Sequence, residues 1–308
     1  MADKTRVALV RNATGPGSAD SKTTAEACAA ILESLGFETQ VFEYDQTFVG
    51  LVGKFRPDVA LNCTTSGSGR NGVLQGLLEH LRLPYTHSGI LASALAMDKH
   101  QAKTVLMAAK LPVTAHTLAD RSEAAAAHII KPPYVIKPAT ESAAAGVFHV
   151  ESGNTPPPPE LLDEEWRGGD LIMIEQFIPG RDLFGVVLGD VALGVAENVP
   201  GGKDAPETDT GKDNEQIVRI PAQVSPKIYE NIQKMSLKAH EALGCRGMTR
   251  VDFRFNDHFG GDGEIVCLGV NTQPPLFSGS VTVELARHAG QSPEELVRWI
   301  VENASCNR

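Results

Sequence analysis

Two short segments in the C-terminal part of the chain carry the residue types best suited to chemistry. Thr249-Arg250-Val251-Asp252-Phe253-Arg254 alternates polar and apolar side chains, and Cys267-Leu268-Gly269-Val270-Asn271-Thr272-Gln273-Pro274 follows a glycine-rich turn. Residues two apart on a strand share a face. Arg250, Asp252 and Arg254 therefore point one way, and Gly269 and Asn271 share one face of the partner strand. Carboxylate and amide oxygens suit a hard cation such as Mg²⁺, which needs few protein ligands when nucleotide phosphates complete its shell. A neighbouring arginine can neutralise charge developing on a transferred phosphoryl group or tetrahedral centre. A hairpin with solvated polar side chains would show the same Arg-x-Asp pattern.

Three further groups could join this chemistry. Lys137 ends an apolar strand and precedes Pro138 and a loop of small residues, where backbone N–H groups can approach phosphates. A surface lysine before a turn would look the same. Met97-Asp98-Lys99 and Lys103 lie on a predicted helix, and lysines four apart are usually a solvated face. Ile174-Glu175-Gln176-Phe177-Ile178, with Asp182 beyond it, is an apolar strand edged by carboxylates. It could hold adenine and ribose or be a plain edge strand.

The elements that must position these groups can be read from periodicity. Val7–Val10, 37–44 and 57–62 read as strands, separated by a helix carrying Ala25, Cys28, Leu32 and Leu35 at helical spacing. This alternation predicts a parallel α/β lobe, with the loops at 12–18 and 64–72 as candidate substrate walls beyond the strand ends. Residues 92–109 read as one helix. Residues 134–138 and 147–150 read as a hairpin-like lid, 171–177 as a strand, and 184–188 with 192–197 as a meander. Residues 200–214 read as a polar loop. Residues 227–243 and 293–302 read as helices, the latter with Ser292 as N-cap.

Composition bounds the setting. The 308 residues suffice for two or three lobes. Net charge −10 argues against nucleic-acid partners and anionic membrane surfaces. An anionic nucleotide would need its own lysines and arginines. Five cysteines without close pairing read as reduced thiols. No signal-peptide core and no run approaching the ~20 apolar residues of a membrane span is visible, which suggests the cytoplasm.

Taken in order, the motifs resemble the D-alanine–D-alanine ligase family. The matches run from Gln75-Gly76-Leu77-Leu78-Glu79 through Pro84-Tyr85-Thr86, Ser88–Lys99 and Ile136-Lys137-Pro138-Ala139 to Gly244–Arg254 and Val270–Pro274. The resemblance implies an α/β ATP-grasp fold with an N-terminal parallel lobe (1–93), a central lid lobe (94–178) and a C-terminal lobe (179–308), and a homodimer. It implies that Lys99 and Lys137 bind ATP phosphates, that Glu175, Gln176, Phe177 and Ile178 hold adenine, and that Asp182 holds the ribose. Asp252 and Asn271 would bind Mg²⁺, Arg250 would stabilise an acyl phosphate and the tetrahedral intermediate, and Ser280 would lie beside a substrate carboxylate.

The departures from the family pattern cluster on chemistry. Gly269 stands where the family usually has a glutamate that bridges two Mg²⁺ ions, so one ion is expected. Glu264 lies an odd number of positions away and on a regular strand would face the other side. Arg70 stands in place of an acidic residue, and Glu141-Ser142-Ala143-Ala144 lacks the hydroxyls of the phosphate lid. The glutamate that anchors an ammonium has no counterpart between Arg11 and Thr24. In the 201–214 loop, Lys212 is the nearest match to the family's lysine, and Pro275 removes a backbone donor ahead of Ser280. Two functions fit: an ATP- and Mg²⁺-dependent carboxylate–amine ligase with altered amino-acid substrates, Arg70 among its substrate contacts, or a catalytically impaired nucleotide-binding or regulatory paralogue.

Overall fold

Apolar strands alternating with amphipathic helices build three sheets, each carrying a different part of the chemistry. In the computed structural model, which describes residues 4–15, 17–140, 146–199, 217–259 and 263–306, the chain begins with β1 (Arg6–Asn12), α1 (Ser18–Ser34), β2 (Glu38–Tyr44), α2 (Phe48–Phe55) and β3 (Val59–Asn62). β1 lies between β2 and β3 and is parallel to both. Val7 to Val10 are all buried, as expected of a parallel strand covered on both faces. α2 carries two glycines, Gly50 and Gly53, which dilute its helical pattern in the sequence.

α3 (Val73–His80), α4 (Ile90–Met97) and α5 (Lys99–Ala108) follow. The single helix predicted over 92–109 is two. Asp98 leaves the helix with φ −88° and ψ 102°, and its carboxylate caps α5 by accepting the Gln101 N–H. The break lets Asp98 bridge to Thr140 and lets the Lys99 N–H bond to the Ala139 carbonyl. The helix start is thereby tied to the loop that follows Lys137.

The second sheet contains β4 (His116–Asp120), β5 (Tyr134–Pro138), β6 (Phe148–Val150) and β7 (Leu171–Gln176), with α6 (Arg121–Ala126) after β4. Its order is β4-β7-β5-β6, with every pairing antiparallel. It has its own apolar centre, including Tyr134, Ile136, Leu161, Ile172 and Ile174. The predicted hairpin is β5–β6; the lid residues Glu141–Ala144 lie outside the described residues.

The third sheet is β10-β9-β8-β11-β12, from β8 (Arg181–Leu188), β9 (Val191–Val199), β10 (Ile217–Arg219), β11 (Met248–Asn256) and β12 (Glu264–Asn271). α7 (Pro226–Ala242) lays Ile228, Ile232, Met235 and Ala239 on it, in one core with Leu106 of α5 and Leu111 just beyond that helix. The loop predicted over 200–214, with Lys212, lies outside the described residues. α8 (Val281–His288) and α9 (Pro293–Glu302) close the chain. Their Leu285, Leu296 and Ile300 join Val7, Leu9 and Cys28 from the first lobe and Val186 and Met248 from the third sheet in one core.

A β-bulge corrects the parity argument about Glu264. Asp252 pairs with Gly269, but Phe253 pairs with Cys267, so Leu268 is an extra residue. Cys267 and Val270, three apart, consequently pack in the same core. Glu264, opposite Asn256, lies on the same face as Gly269 rather than the opposite one. It is four residues along the ladder from Asp252, roughly 13 Å at strand spacing, and that distance keeps it from the Asp252 carboxylate.

Candidate active site

The β11–β12 hairpin positions its polar side chains as alternation predicts. Val251, Phe253 and Phe255 face the core, while Arg250, Asp252 and Arg254 face the other way. Arg250 clasps Asp252 with two parallel bonds, Nε to Oδ1 at 2.7 Å and Nη2 to Oδ2 at 2.9 Å. Its guanidinium also lies 4.8 Å from the centre of the Phe184 ring on β8. Arg254 is 9% exposed and donates to the Ile178 carbonyl (2.9 Å) and to Asp182 Oδ1 (2.7 Å). It thus fixes the carboxylate predicted to meet a ribose. Gly180 must be glycine, because a Cβ there would lie 2.1 Å from the Phe255 carbonyl oxygen.

Asn271 sits opposite Arg250, and its Oδ1 accepts from Arg70 Nη2 (2.8 Å) and from the Gln273 N–H (2.9 Å). Arg70 also donates Nη1 to the Thr65 carbonyl at 2.9 Å. Gln273 is buried and ties this corner to the end of β3. Its Nε2 donates to the carbonyl and hydroxyl oxygens of Thr64, both at 2.9 Å, and its Oε1 accepts from Asn62 Nδ2 at 3.0 Å. Asp252 and Asn271 carry hard oxygens on paired strands, the donor type that Mg²⁺ takes, and these oxygens here accept from Arg250, Arg70 and the Gln273 N–H. Among the described residues no group of three or more His, Cys, Asp or Glu forms a metal cluster.

The second half of the site is a buried ion cluster around Glu175. Lys137 Nζ lies 3.3 Å from Glu175 Oε1, and Lys103 Nζ lies 3.6 Å from Oε2. Thr114 relays between them, accepting from Lys103 at 2.7 Å and donating to Glu175 at 2.9 Å. Burial works against the Glu175 carboxylate, but Lys137, Lys103 and the Thr114 hydroxyl outweigh it and hold its pKa below the usual range. Lys103 is only 1% exposed, which overturns its reading as part of a solvated face. The signal for this was its position one helical turn after Lys99 on the side that carries Leu106. Thr114 gave no sequence signal.

Lys99 donates to the Pro138 carbonyl at 3.0 Å and so lies beside Lys137. Glu175 points into the cluster, and Gln176 donates to the Pro133 carbonyl at 3.2 Å. The Phe177 ring packs edge-on against His149 at 5.0 Å. The stretch Pro112–Thr114 joins the two halves: the Cys267 N–H bonds to the Pro112 carbonyl at 2.8 Å, and Val113 bridges to Cys267. Burial pushes the Cys267 thiol up to about 12, so it stays protonated between Lys103 and Asp252. Ser280 caps α8 through the Val283 N–H and donates to the Pro275 carbonyl at 3.1 Å.

The chain is similar to known proteins over nearly its whole length. A family model described as the D-ala D-ala ligase C-terminus matches residues 105–302. The chain is 45% identical over 290 residues to a D-alanine–D-alanine ligase of Sinorhizobium fredii, covering 94% of each chain. It is 43% identical over 303 residues to the enzyme of Methylobacterium radiotolerans, covering 98% of this chain and 99% of that one. Among solved structures, the D-alanine–D-alanine ligase of Bacillus anthracis complexed with ATP superimposes with TM-score 0.79 at 22% identity, over 98% of this chain and 97% of that one. The ATP-grasp fold expected from the motifs is the fold of this chain.

Proposed function

Because the chain belongs to the D-alanine–D-alanine ligase family, we propose that it is an ATP- and Mg²⁺-dependent carboxylate–amine ligase that works through an acyl phosphate on altered amino-acid substrates. One observation carries the reading. The Lys137–Glu175–Lys103 cluster and the hairpin bearing Arg250 and Asp252 are held together through Pro112–Thr114. An ATP triphosphate needs cations on one side and a metal-holding carboxylate on the other.

In this reading Lys99 and Lys137 bind phosphates, and Glu175 orients Lys137. Gln176, Phe177 and Ile178 border adenine, and Asp182, set by Arg254, takes the ribose. Asp252 and Asn271 hold a single Mg²⁺, which when bound neutralises phosphate charge. Arg250 stabilises charge on the acyl phosphate and on the tetrahedral centre formed by the attacking amine. Ser280 and Arg70 stand on the substrate side. Arg70 stands there in place of an acidic residue of the family pattern, which takes away a partner that an ammonium would have had. This supports a substrate other than free D-alanine.

A second reading, a nucleotide-binding paralogue without turnover, is favoured by one observation: the oxygens of Asp252 and Asn271 are taken by the guanidiniums of Arg250 and Arg70. Calorimetry of Mg²⁺–ATP binding, combined with ADP release across D- and L-amino acids, separates the two. Binding with ADP release supports the ligase; binding without release for any acid favours the second reading; no binding removes both.

We also propose a division into lobes at 1–93, 94–178 and 179–308, a cytoplasmic setting and a homodimer. The dimer is supported by exposed Val73, Ile90 and Leu91 on neighbouring helices α3 and α4. No helix among the described residues is long and apolar enough to cross a membrane.

A further inference from the structure

His100 on α5 and His116 on β4 meet edge to edge, Nδ1 against Nε2 at 3.1 Å. We infer that this pair is a binding site for a divalent transition metal such as Zn²⁺, which fastens α5 to the four-stranded sheet. The site is separate from the β11–β12 hairpin and needs no nucleotide. Imidazole nitrogens suit Zn²⁺, Ni²⁺ and Cu²⁺, whereas Mg²⁺ takes oxygens.

The two rings are already set as ligands. A carbonyl oxygen can only accept, so His116 donates its Nδ1–H to the Thr114 carbonyl at 3.1 Å. That bond fixes the tautomer and leaves the Nε2 lone pair directed at His100. A backbone carbonyl on the far nitrogen is the support that metal-bound imidazoles ordinarily have. In the neutral pair His100 supplies the Nδ1–H that lies between the rings. Two metal–nitrogen bonds of about 2.0–2.1 Å span the 3.1 Å separation at an angle of roughly 95–102° at the metal, between the square and tetrahedral values. The rings are inclined by 66° with centroids 5.3 Å apart, an edge contact in which in-plane lone pairs can converge on one point. The metal takes the place of the shared proton, and His100 stays neutral by moving that proton from Nδ1 to Nε2.

The position of the pair gives the metal something to hold. Both histidines are half-buried, so solvent reaches them. Among the described residues no third His, Cys, Asp or Glu joins them, and water completes the shell. Glu175, opposite His116 in the strand ladder, is engaged by Lys103 and Lys137. α5 sends Leu106 into the core of the third sheet, whereas β4 sends Ala119 into the separate core of the four-stranded sheet. The pair is thus one of the links between two cores. Two metal–nitrogen bonds in place of one hydrogen bond strengthen that link.

Zn²⁺ is titrated by calorimetry, without nucleotide, into the full-length protein, H100Q and H116Q, and histidine ring ¹⁵N resonances of the unaltered protein are followed by NMR over the same titration. The unaltered protein should bind a Zn²⁺ that each variant binds at least tenfold more weakly, the smallest loss expected when a ligand itself is removed. Excess Mg²⁺ should not displace it. The His100 and His116 resonances should move together, His100 changing from the Nδ1–H to the Nε2–H pattern. Zn²⁺ binding at other residues is common to all three proteins and cancels in the comparison. Equal Zn²⁺ binding by the unaltered protein and both variants would overturn the assignment, as would no binding at all; the contact would then be a hydrogen bond only. Should the variants not fold, the ring resonances of the unaltered protein decide alone, and resonances that Zn²⁺ leaves in place would reject the site. None of these outcomes bears on the ligase reading.

Discussion

Lys137 and Glu175 meet at 3.3 Å across the paired strands β5 and β7, and Glu175 is the acceptor through which this half-buried lysine is coupled to the buried Lys103. Replacing Glu175 with Gln leaves Lys103 buried without its counter-charge. A broken buried pair typically costs about 3–5 kcal/mol. E175Q is therefore expected to lower the melting temperature by several degrees and to weaken ATP binding. K137A, whose side chain is 18% exposed, should weaken ATP binding with a much smaller loss of stability. Equal melting temperatures for E175Q and K137A would sink this account of the cluster.

In the proposed mechanism Arg250 acts on charge that exists only during reaction. R250A should lower kcat by roughly 10²–10³, the range for losing an oxyanion-stabilising donor, and change ATP affinity far less. Steady-state kinetics with the substrate found in the ADP-release survey provides the measurement. A purely KM effect would show that Arg250 binds ground-state ligand only.

Gly269→Glu adds a carboxylate on the strand opposite Asp252, at a position where a Cβ meets nothing within 4 Å among the described residues. Tighter Mg²⁺–ATP binding by calorimetry is the expected outcome, since metal affinity rises with ligand charge. Unchanged affinity would show that position 269 does not reach the cation.

Two buried histidines predict a pH dependence of stability. Burial lowers His87 and His240 from 6.5 to about 4, Arg246 adding to the effect at His87. Between those values the unfolded chain binds protons that the folded chain does not. The stability is fully present above pH 6.5 and is lost as pH falls towards 4, by about 2 kcal/mol per histidine between pH 7 and 5. Urea unfolding at pH 7, 6 and 5 measures this. H240Q should flatten the curve by about half, and a curve already flat in the unaltered protein would rule out both assignments.

Much of this architecture could be read directly from residue patterns, and the exceptions have physical causes. Strand alternation identified the face carrying Arg250 and Asp252 because Val251, Phe253 and Phe255 need a core. It failed at Leu268, because a bulge adds a residue without a compositional mark. Helical periodicity ran through Asp98, since a capping aspartate within an apolar pattern resembles an exposed helix residue. α8 was not read from the sequence, although Ser280 was singled out; that serine is also its N-cap. The burial of Lys103 depends on Thr114 and Glu175, which lie 11 and 72 residues further along the chain, and local spacing carries no trace of such a partnership.

Gln273 has a consequence for motion. Its side chain spans the end of β3 and the end of β12 with four buried hydrogen-bond contacts to Asn62 and Thr64, on top of an apolar core that already unites those lobes. The end of β3 and the end of the hairpin are therefore fastened to one another by buried polar contacts as well as by apolar packing. The four-stranded sheet keeps a core of its own, so backbone amides around 62–64 and 271–273 should be among the slowest of the chain to exchange with deuterium.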